Sequence, residues 1–202
     1  LIASLGQVIS KLSASELQNK GVLANCHVNV IQTQDHQAFR SYQEELTYLT
    51  TNTSRLQFIS NLMEEIRSGG NALILVDRIK TGELLKDLIP GSVFIQGKTK
   101  MEERQEEYDE VATEQYKVLI ATYGVAAVGI NLPRIFNLIL VEPGKSFVRV
   151  IQSIGRGIRK AKDKDHVQIW DITSSCKFSK RHLTTRKKFY KEANYPYTCL
   201  LY

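Results

Sequence analysis

Two arginines at helical spacing are the residues of this sequence best suited to phosphate chemistry. The stretch around them reads Gln152-x-x-Gly155-Arg156-x-x-Arg159. On a helix, Arg156 and Arg159 project from one face, with Gln152 one turn earlier. Guanidinium groups are always charged and forked, so the pair can bond several oxygens of a triphosphate at once. The alternative interpretation is a surface helix with basic ends.

A second candidate for phosphate chemistry is Gly97-Lys98-Thr99, which matches the last three residues of a P-loop. The P-loop pattern G-x-x-x-x-G-K-[ST] places four residues between its glycines, whereas five separate Gly91 from Gly97. Those five include the apolar run 93–95, which is typical of a strand. The spacing therefore argues against a nucleotide cradle, and a P-loop kinase that uses Lys98 is the least supported alternative.

The elements that must position these residues follow from residue 71 onward, where apolar runs alternate with helical patterns. Such near-continuous runs are typical of strands buried on both faces of a parallel sheet. The predicted strands cover 71–77, 92–96, 117–122, 137–143 and 167–173, with a candidate strand at 27–32. The predicted helices cover 79–89, 99–113 and 146–160, and a further helix is predicted between an N-cap at Thr53 or Ser54 and a stop at Gly69-Gly70. This alternation predicts an α/β fold with an open, mainly parallel sheet flanked by helices.

The net charge of +6 is distributed unevenly along the chain. Residues 111–202 carry 16 Lys and Arg against 6 Asp and Glu, whereas the first 110 residues carry 11 against 15. A basic half predicts a polyanionic partner, with a solvated basic face as the alternative. The basic tail is predicted to be helical to about Ala193. It serves either as a nucleic-acid contact or as a solvated helix whose aromatic residues pack on the domain.

No metal site, disulfide framework or membrane span is predicted. The three cysteines form no C-x-x-C, and the four histidines have no metal-ligand spacing. Asp109-Glu110 resembles an acidic magnesium-binding box, but an acidic helix precedes it instead of an apolar strand.

No apolar run approaches the roughly 20 residues of a membrane span, and the N-terminus lacks the features of a signal peptide. We therefore expect a cytoplasmic protein and, without an initial Met, a piece of a longer one.

The order of the motifs resembles that of superfamily 2 helicases. Residues 152–159 look like motif VI, and the pattern T-x-G-x-x-x-x-G-x-N from Thr122 to Asn131 looks like motif V. "ALILVDR" and "FIQGKTKMEER" resemble motifs IV and IVa. The resemblance spans residues 71–173 and is to the C-terminal RecA-like motor domain of the phage UvsW-type and XPB-like branch, where Gln begins motif VI. Residues 6–24 resemble the connector between two motor domains.

The resemblance implies the second motor domain of an ATP-dependent DNA helicase or translocase, with a role in repair or recombination. ATP and Mg²⁺ would be bound mainly by an N-terminal motor domain in cis, so the fragment alone is expected to be inactive. The expected segments are a connector (1–30), the RecA-like domain (31–175) and a basic helix with a tail (176–202). The partner is expected to be single-stranded or branched DNA.

The resemblance also implies roles for individual residues. Arg156 and Arg159 would be arginine fingers, and Gln152 would order the γ-phosphate. Gly129 and Asn131 would lie toward the nucleotide, although many family members carry an acid where Asn131 stands. Nucleic-acid contacts are expected at Arg78, Gly97, Lys98, Thr99, Thr122, Tyr123 and Gly124. The alternative function is a nucleic-acid-binding α/β module without ATPase activity, in which the arginines contact phosphates only.

Overall fold

A computed structural model describes residues 25–128, 134–144, 147–155 and 166–202 of the chain. The strands are β1 (Asn25–Thr33), β2 (Ala72–Val76), β3 (Val93–Ile95), β4 (Val118–Thr122), β5 (Asn137–Val141), β6 (His166–Ser174) and β7 (Tyr197–Leu201). The helices are α1 (Tyr42–Thr51), α2 (Thr53–Arg67), α3 (Ile79–Leu88), α4 (Met101–Thr113), α5 (Tyr123–Ala127), α6 (Phe147–Gly155) and α7 (Lys177–Glu192).

The strands form one sheet in the order β3-β4-β2-β5-β6-β1-β7. Every described pairing is parallel. The predicted α/β fold, with an open parallel sheet flanked by helices, is thereby confirmed. Since parallel strands end at the same edge of a sheet, the segments that follow β3, β4, β2 and β5 lie side by side.

Two apolar layers cover the sheet, as the buried runs in the sequence predict. Side chains alternate between the faces of a strand, so Leu73 and Leu75 of β2 belong to one cluster, and Ile74 and Val76 to the other. The first layer includes buried residues of α4, α5, α6 and α7, and the second those of α2 and α3. The helices that carry the candidate motifs V and VI therefore share one face with α7.

Helix α7 is anchored by a buried ionic cluster. Arg186 donates to both carboxylate oxygens of Asp171 on β6, at 2.7 and 2.9 Å, and to the carbonyl of Pro143 at 2.7 Å. The hydroxyl of Tyr190 donates to Asp171 at 2.7 Å. At the start of the helix, Glu45 of α1 accepts from the backbone amide of Ser179 at 2.7 Å. These bonds join α7 to the sheet, to α1 and to the loop after β5.

Two elements of the structure were not predicted from the sequence. Helix α1 lies where no helix was expected, and β7 adds a seventh strand within the segment 176–202. Strand β1 begins at Asn25, inside the segment expected to be a connector, and it lies between β6 and β7. Both ends of the described chain therefore contribute to the same sheet as the motifs.

We expect Gly70→Ala to lower the free energy of unfolding by about 1–3 kcal/mol. Gly70 has a φ of 129°, and a Cβ atom there would lie 2.8 Å from Cβ of Phe136. Backbone strain and a steric clash therefore act in the same direction. Urea denaturation of both proteins measures the difference.

Gly97→Ala is the matched control for that measurement. A Cβ at Gly97 would have no atom of residues 25–128, 134–144, 147–155 or 166–202 within 4 Å, and the φ of Gly97 lies outside the left-handed region. The free energy of unfolding of Gly97→Ala should therefore stay within about 0.5 kcal/mol of that of the unsubstituted protein. Equal losses in the two variants would contradict the different environments of the two glycines.

Candidate functional site

The candidate residues cluster at the carboxyl edge of the sheet. Arg78 follows β2, residues 97–99 follow β3, and Thr122 ends β4. Gln152 lies on α6, the helix that comes after β5. These four strands are neighbours in the sheet. Arg78, residues 97–99 and Thr122 are thereby brought to one edge, where open parallel sheets bind their ligands.

The turn from β4 into α5 presents backbone groups at this edge. Oγ1 of Thr122 accepts from the amide of Val125 at 3.3 Å, which makes Thr122 the N-cap of α5. Gly124 is exposed, and among the described residues a Cβ atom there would meet only Oγ1 of Thr122, at 3.8 Å. The backbone around Gly124 is therefore open to a close approach from solvent.

The side chain of Tyr123 has a structural contact in the same turn. Its hydroxyl donates to the carbonyl of Val141, at the end of β5, at 2.9 Å. Burial raises the pKa of Tyr123 well above its usual value, so the hydroxyl stays protonated and keeps donating. The hydroxyl of Tyr123 is therefore occupied by a bond within the domain.

The loop from β3 into α4 is a compact turn. The amide of Gln96 donates to Oγ1 of Thr99 at 3.0 Å, and the amide of Thr99 donates back to the carbonyl of Gln96 at 3.0 Å. Arg104 of α4 donates to the carbonyls of Gln96 and Gly97, at 3.2 and 2.5 Å. Lys98 is exposed at the tip. A P-loop wraps amides around phosphates, whereas this loop directs two carbonyls at a guanidinium, so the geometry does not support the P-loop alternative.

The turn at residues 97–99 does not depend on the conformational freedom of glycine. Gly97 has no left-handed φ, and no described residue lies where a side chain at this position would strike it. In α4, Lys100 is the N-cap and makes no side-chain hydrogen bond to the first turn. The backbone amides at the start of α4 therefore receive no side-chain cap from residue 100.

Arg78 is held in place by α1. Its Nη1 donates to Oγ1 of Thr47 at 2.7 Å, and its Nη2 donates to Oε1 of Gln43 at 3.1 Å. The side chain remains 33% exposed, with Nε 3.8 Å from the carboxylate of Asp77. Sequence reasoning selected Arg78 but missed the two residues that orient it, because α1 was not predicted.

Gln152 is half-buried on α6. Its neighbours Ile151 and Ile154 are buried in the apolar layer, and Oγ of Ser153 donates to the carbonyl of Ala127 at 2.7 Å. This bond links α6 to the end of α5. The other residues predicted to face the nucleotide lie outside the described part of the chain: Gly129, Asn131, Arg156 and Arg159.

Glu142 was not predicted from the sequence as a site residue, although it is a buried carboxylate at the start of the loop to α6. Glu142 directly follows β5, has a φ of 47° and is ion-paired with Arg55 of α2. Oγ of Ser179 donates to it at 3.3 Å. Burial raises the pKa of Glu142, and the attraction of Arg55 opposes that rise. The only signal in the sequence is an acidic residue directly after an apolar strand.

The described residues contain no group of His, Cys, Asp and Glu side chains that could hold a metal ion. No helix among them is long and apolar enough to cross a membrane. The prediction of no metal ligands in this chain stays a prediction.

The chain matches the family model of the helicase conserved C-terminal domain over residues 54–161. It therefore belongs to that family. More particularly, it is a C-terminal domain of a superfamily 2 helicase near the UvsW branch.

Two curated viral proteins are similar in sequence. The ATP-dependent DNA helicase uvsW of Enterobacteria phage T4 is 24% identical over 199 residues, which cover 93% of this chain and 40% of that protein. Putative helicase 22 of Sulfolobus islandicus filamentous virus is 33% identical over 104 residues, which cover 50% of this chain and 18% of that protein. The chain thus spans less than half of either relative.

Solved structures share the fold. The crystal structure of T4 UvsW superposes with a TM-score of 0.77 at 20% identity, covering 88% of this chain and 41% of that one. The C-terminal domain of the DEAD-box protein Dbp5 superposes with a TM-score of 0.56 at 20% identity, covering 89% and 92%. At this identity the likeness concerns the fold alone.

Proposed function

We propose that this chain is the second motor domain of an ATP-dependent DNA helicase or translocase. In this role it supplies arginine fingers to ATP and half of a groove that follows DNA phosphates. An N-terminal motor domain in cis would supply the remaining contacts to ATP and Mg²⁺. The name of the phage relative, an ATP-dependent DNA helicase, supports DNA rather than RNA as the nucleic acid.

Two open glycines at neighbouring strand ends carry the proposal. Gly97 follows β3 and Gly124 follows β4, and the two strands are paired. Neither glycine has a left-handed φ, and in the part of the chain that the structure describes neither is packed against a neighbour that excludes a side chain. Glycine inside a helix costs about 1 kcal/mol relative to Ala, and Gly124 lies within α5. Close approach of a ligand backbone explains two glycines that the fold itself does not require.

The groups around these glycines suit a phosphodiester backbone. Phosphate contacts in protein–DNA complexes come from lysine and arginine, from hydroxyls, from backbone amides and from helix N-termini. Here Lys98 is exposed, Thr122 presents a hydroxyl, and the uncapped first turn of α4 presents amides. Arg78 lies at the next strand end, oriented by its bonds to α1. Contacts of these types position a strand without reading its sequence.

We assign the contacts to the nucleotide to α6 and to the segments beside it. Gln152 of α6 would bond the γ-phosphate, and Ser153 links this helix to the end of α5 through its bond to the carbonyl of Ala127. We assign Arg156 and Arg159 to the charge that develops on the transferred phosphoryl group, and Gly129 and Asn131 to the nucleotide. An amide at Asn131 can bond a ribose hydroxyl or a water, but it cannot act as a charged acceptor.

The double variant Gly97→Ala/Gly124→Ala tests the groove. We expect its dissociation constant for single-stranded DNA to rise about tenfold or more, because a methyl group holds phosphates away from backbone amides. Its stability should stay equal or rise slightly, since Ala favours the helix at position 124. Fluorescence anisotropy measures binding and urea denaturation measures stability.

Lys98→Gln is the companion variant, which removes one phosphate contact without closing the space. The logarithm of the DNA-binding constant falls linearly with the logarithm of the salt concentration, and this variant should make that slope shallower by about one. Unchanged affinity in both variants would overturn the assignment of this edge to DNA. A loss of affinity that parallels a loss of folding would show a structural role instead.

A further inference from the structure

Helix α7 carries a stripe of positive charge on its outer face. Its buried residues, Ser179, Leu183, Arg186 and Tyr190, recur at helical spacing and face the sheet. On the opposite side, the exposed residues are five cations and two threonines: Lys177, Lys180, Arg181, Thr184, Thr185, Lys188 and Lys191. At 1.5 Å per residue, the cations extend over roughly 21 Å, with at least one in most turns.

This charge is not neutralised within the described chain. None of the ion pairs between described residues involves a lysine of α7, and the helix contains a single acidic residue, Glu192. Lys177 and Arg181 are one turn apart, as are Lys187 and Lys191. Like charges at this spacing destabilise a helix, and cations near its N-terminus oppose the helix dipole. The fold therefore retains a charge pattern that works against the helix bearing it.

The buried face of α7 holds the stripe in a fixed position. Arg186 and Tyr190 bond Asp171 of β6, and Phe147 of α6 packs edge-on against Tyr190 with ring centroids 5.5 Å apart. Glu45 occupies the first amides of the helix, at Phe178 and Ser179. Attraction for an anion must therefore come from the side chains of the stripe rather than from the helix N-terminus.

We infer that the outer face of α7 is a second phosphate-binding surface for nucleic acid. It is separate from the groove proposed at the strand ends around Gly97 and Gly124. The inference rests on the proposed function for the identity of the polyanion. Phosphates spaced regularly along a strand or duplex suit cations repeated along one helix face. The exposed residues of the stripe include no apolar side chain, whereas membrane-binding helices and protein-binding hot spots need apolar anchors.

The position of α7 suggests how the two surfaces would act together. The helix starts directly after β6, at the carboxyl edge, and β6 is separated from β4 by β2 and β5. Its first turn thus lies at the same edge as Thr122 and Arg78, and its remaining turns lead away from that edge. The stripe would hold a flanking part of the DNA while the groove holds the tracked strand.

Lys188→Gln/Lys191→Gln tests this surface, with Lys86→Glu as the control. Both changes lower the net charge by two, but Lys86 is exposed on α3, which covers the other face of the sheet. Binding of a labelled DNA duplex with a single-stranded extension is measured between 50 and 300 mM salt. We expect the salt slope to fall by about two for the α7 variant. Lys86→Glu should leave the slope nearly unchanged, and neither variant should lose stability.

Other outcomes would overturn the inference in distinguishable ways. If the α7 variant keeps the full slope while Lys98→Gln reduces it, α7 does not bind DNA and the proposed function stands. If none of these variants changes binding, both proposals fail. If the α7 variant loses binding to phosphatidylserine vesicles but keeps binding to DNA, the stripe serves a membrane surface instead. If Lys86→Glu lowers the slope equally, net charge rather than a defined surface explains the binding.

Discussion

Replacement of Arg156 by Ala should lower the DNA-stimulated ATP turnover of the full-length protein by about 10³- to 10⁵-fold. Under the proposed function, this guanidinium stabilises negative charge that develops on the γ-phosphoryl group. An arginine finger acts on the transition state, so affinity for DNA and the stability of the fold should both persist. Phosphate release at saturating ATP measures the effect, and Arg159→Ala should give a loss in the same direction.

Arg149→Ala is the matched control for that experiment. Arg149 is an exposed arginine on α6, upstream of the proposed arginine fingers. Its removal should change turnover by no more than a few-fold. Undiminished turnover in the variants of Arg156 and Arg159 would remove the motor assignment. If the full-length protein binds DNA but hydrolyses no ATP even with both arginines present, the alternative of a binding module without ATPase activity would be favoured.

Arg186→Met should lower the free energy of unfolding by about 3–5 kcal/mol. Arg186 is almost completely buried, and it bonds both oxygens of Asp171 and the carbonyl of Pro143. Methionine fills much of the same space but leaves a buried carboxylate without its cation. Among the described residues, Tyr190 alone would then bond the carboxylate of Asp171. Guanidinium denaturation, followed by circular dichroism, measures the change.

Lys187→Met provides the comparison at the adjacent position. Lys187 is half-buried on α7, and no carboxylate in the described chain pairs with it. Its replacement should alter stability by less than about 1 kcal/mol. A similarly small loss for Arg186→Met would show that the ionic cluster around Asp171 does not anchor α7.

The sheet could be predicted because its central strands are buried on both faces. The strands Ala72–Val76 and Asn137–Val141 are entirely buried, and their sequences are apolar except at Asn137. The side chain of Asn137 donates to the carbonyls of Ile66 and Gly70. The helices between them were found by their spacing and by their glycine or proline boundaries. The order of the motifs along the chain then indicated the family, which the match over residues 54–161 confirms.

The elements that were missed lack an apolar pattern of their own. In α1, the four buried residues include Glu45 and Thr50, whose partners are other polar groups rather than the apolar layer. In β7, four of five residues are exposed, and the strand is held by its backbone bonds to β1. Such elements depend on contacts with distant parts of the chain, which periodicity does not reveal.

The candidate site was predicted only in part for a similar reason. Motif spacing identified Thr122, Gly124 and residues 97–99, and the structure places them at neighbouring strand ends. Motif spacing did not indicate that the hydroxyl of Tyr123 donates to the carbonyl of Val141, or that Arg78 is oriented by α1. Those facts depend on which strands are neighbours, and the order of the strands in the sheet differs from their order in the chain.

The position of β1 in the sheet has a consequence for biosynthesis. Its nine residues pair with β6 across about 140 positions of sequence, and β7 then covers its other edge. A ribosome therefore releases β1 long before either of its neighbours exists. Such distant pairing slows folding, and an unpaired strand exposed during that interval is prone to aggregation. Chaperone binding to nascent chains that end between residues 34 and 165 should consequently exceed binding to chains that include β7.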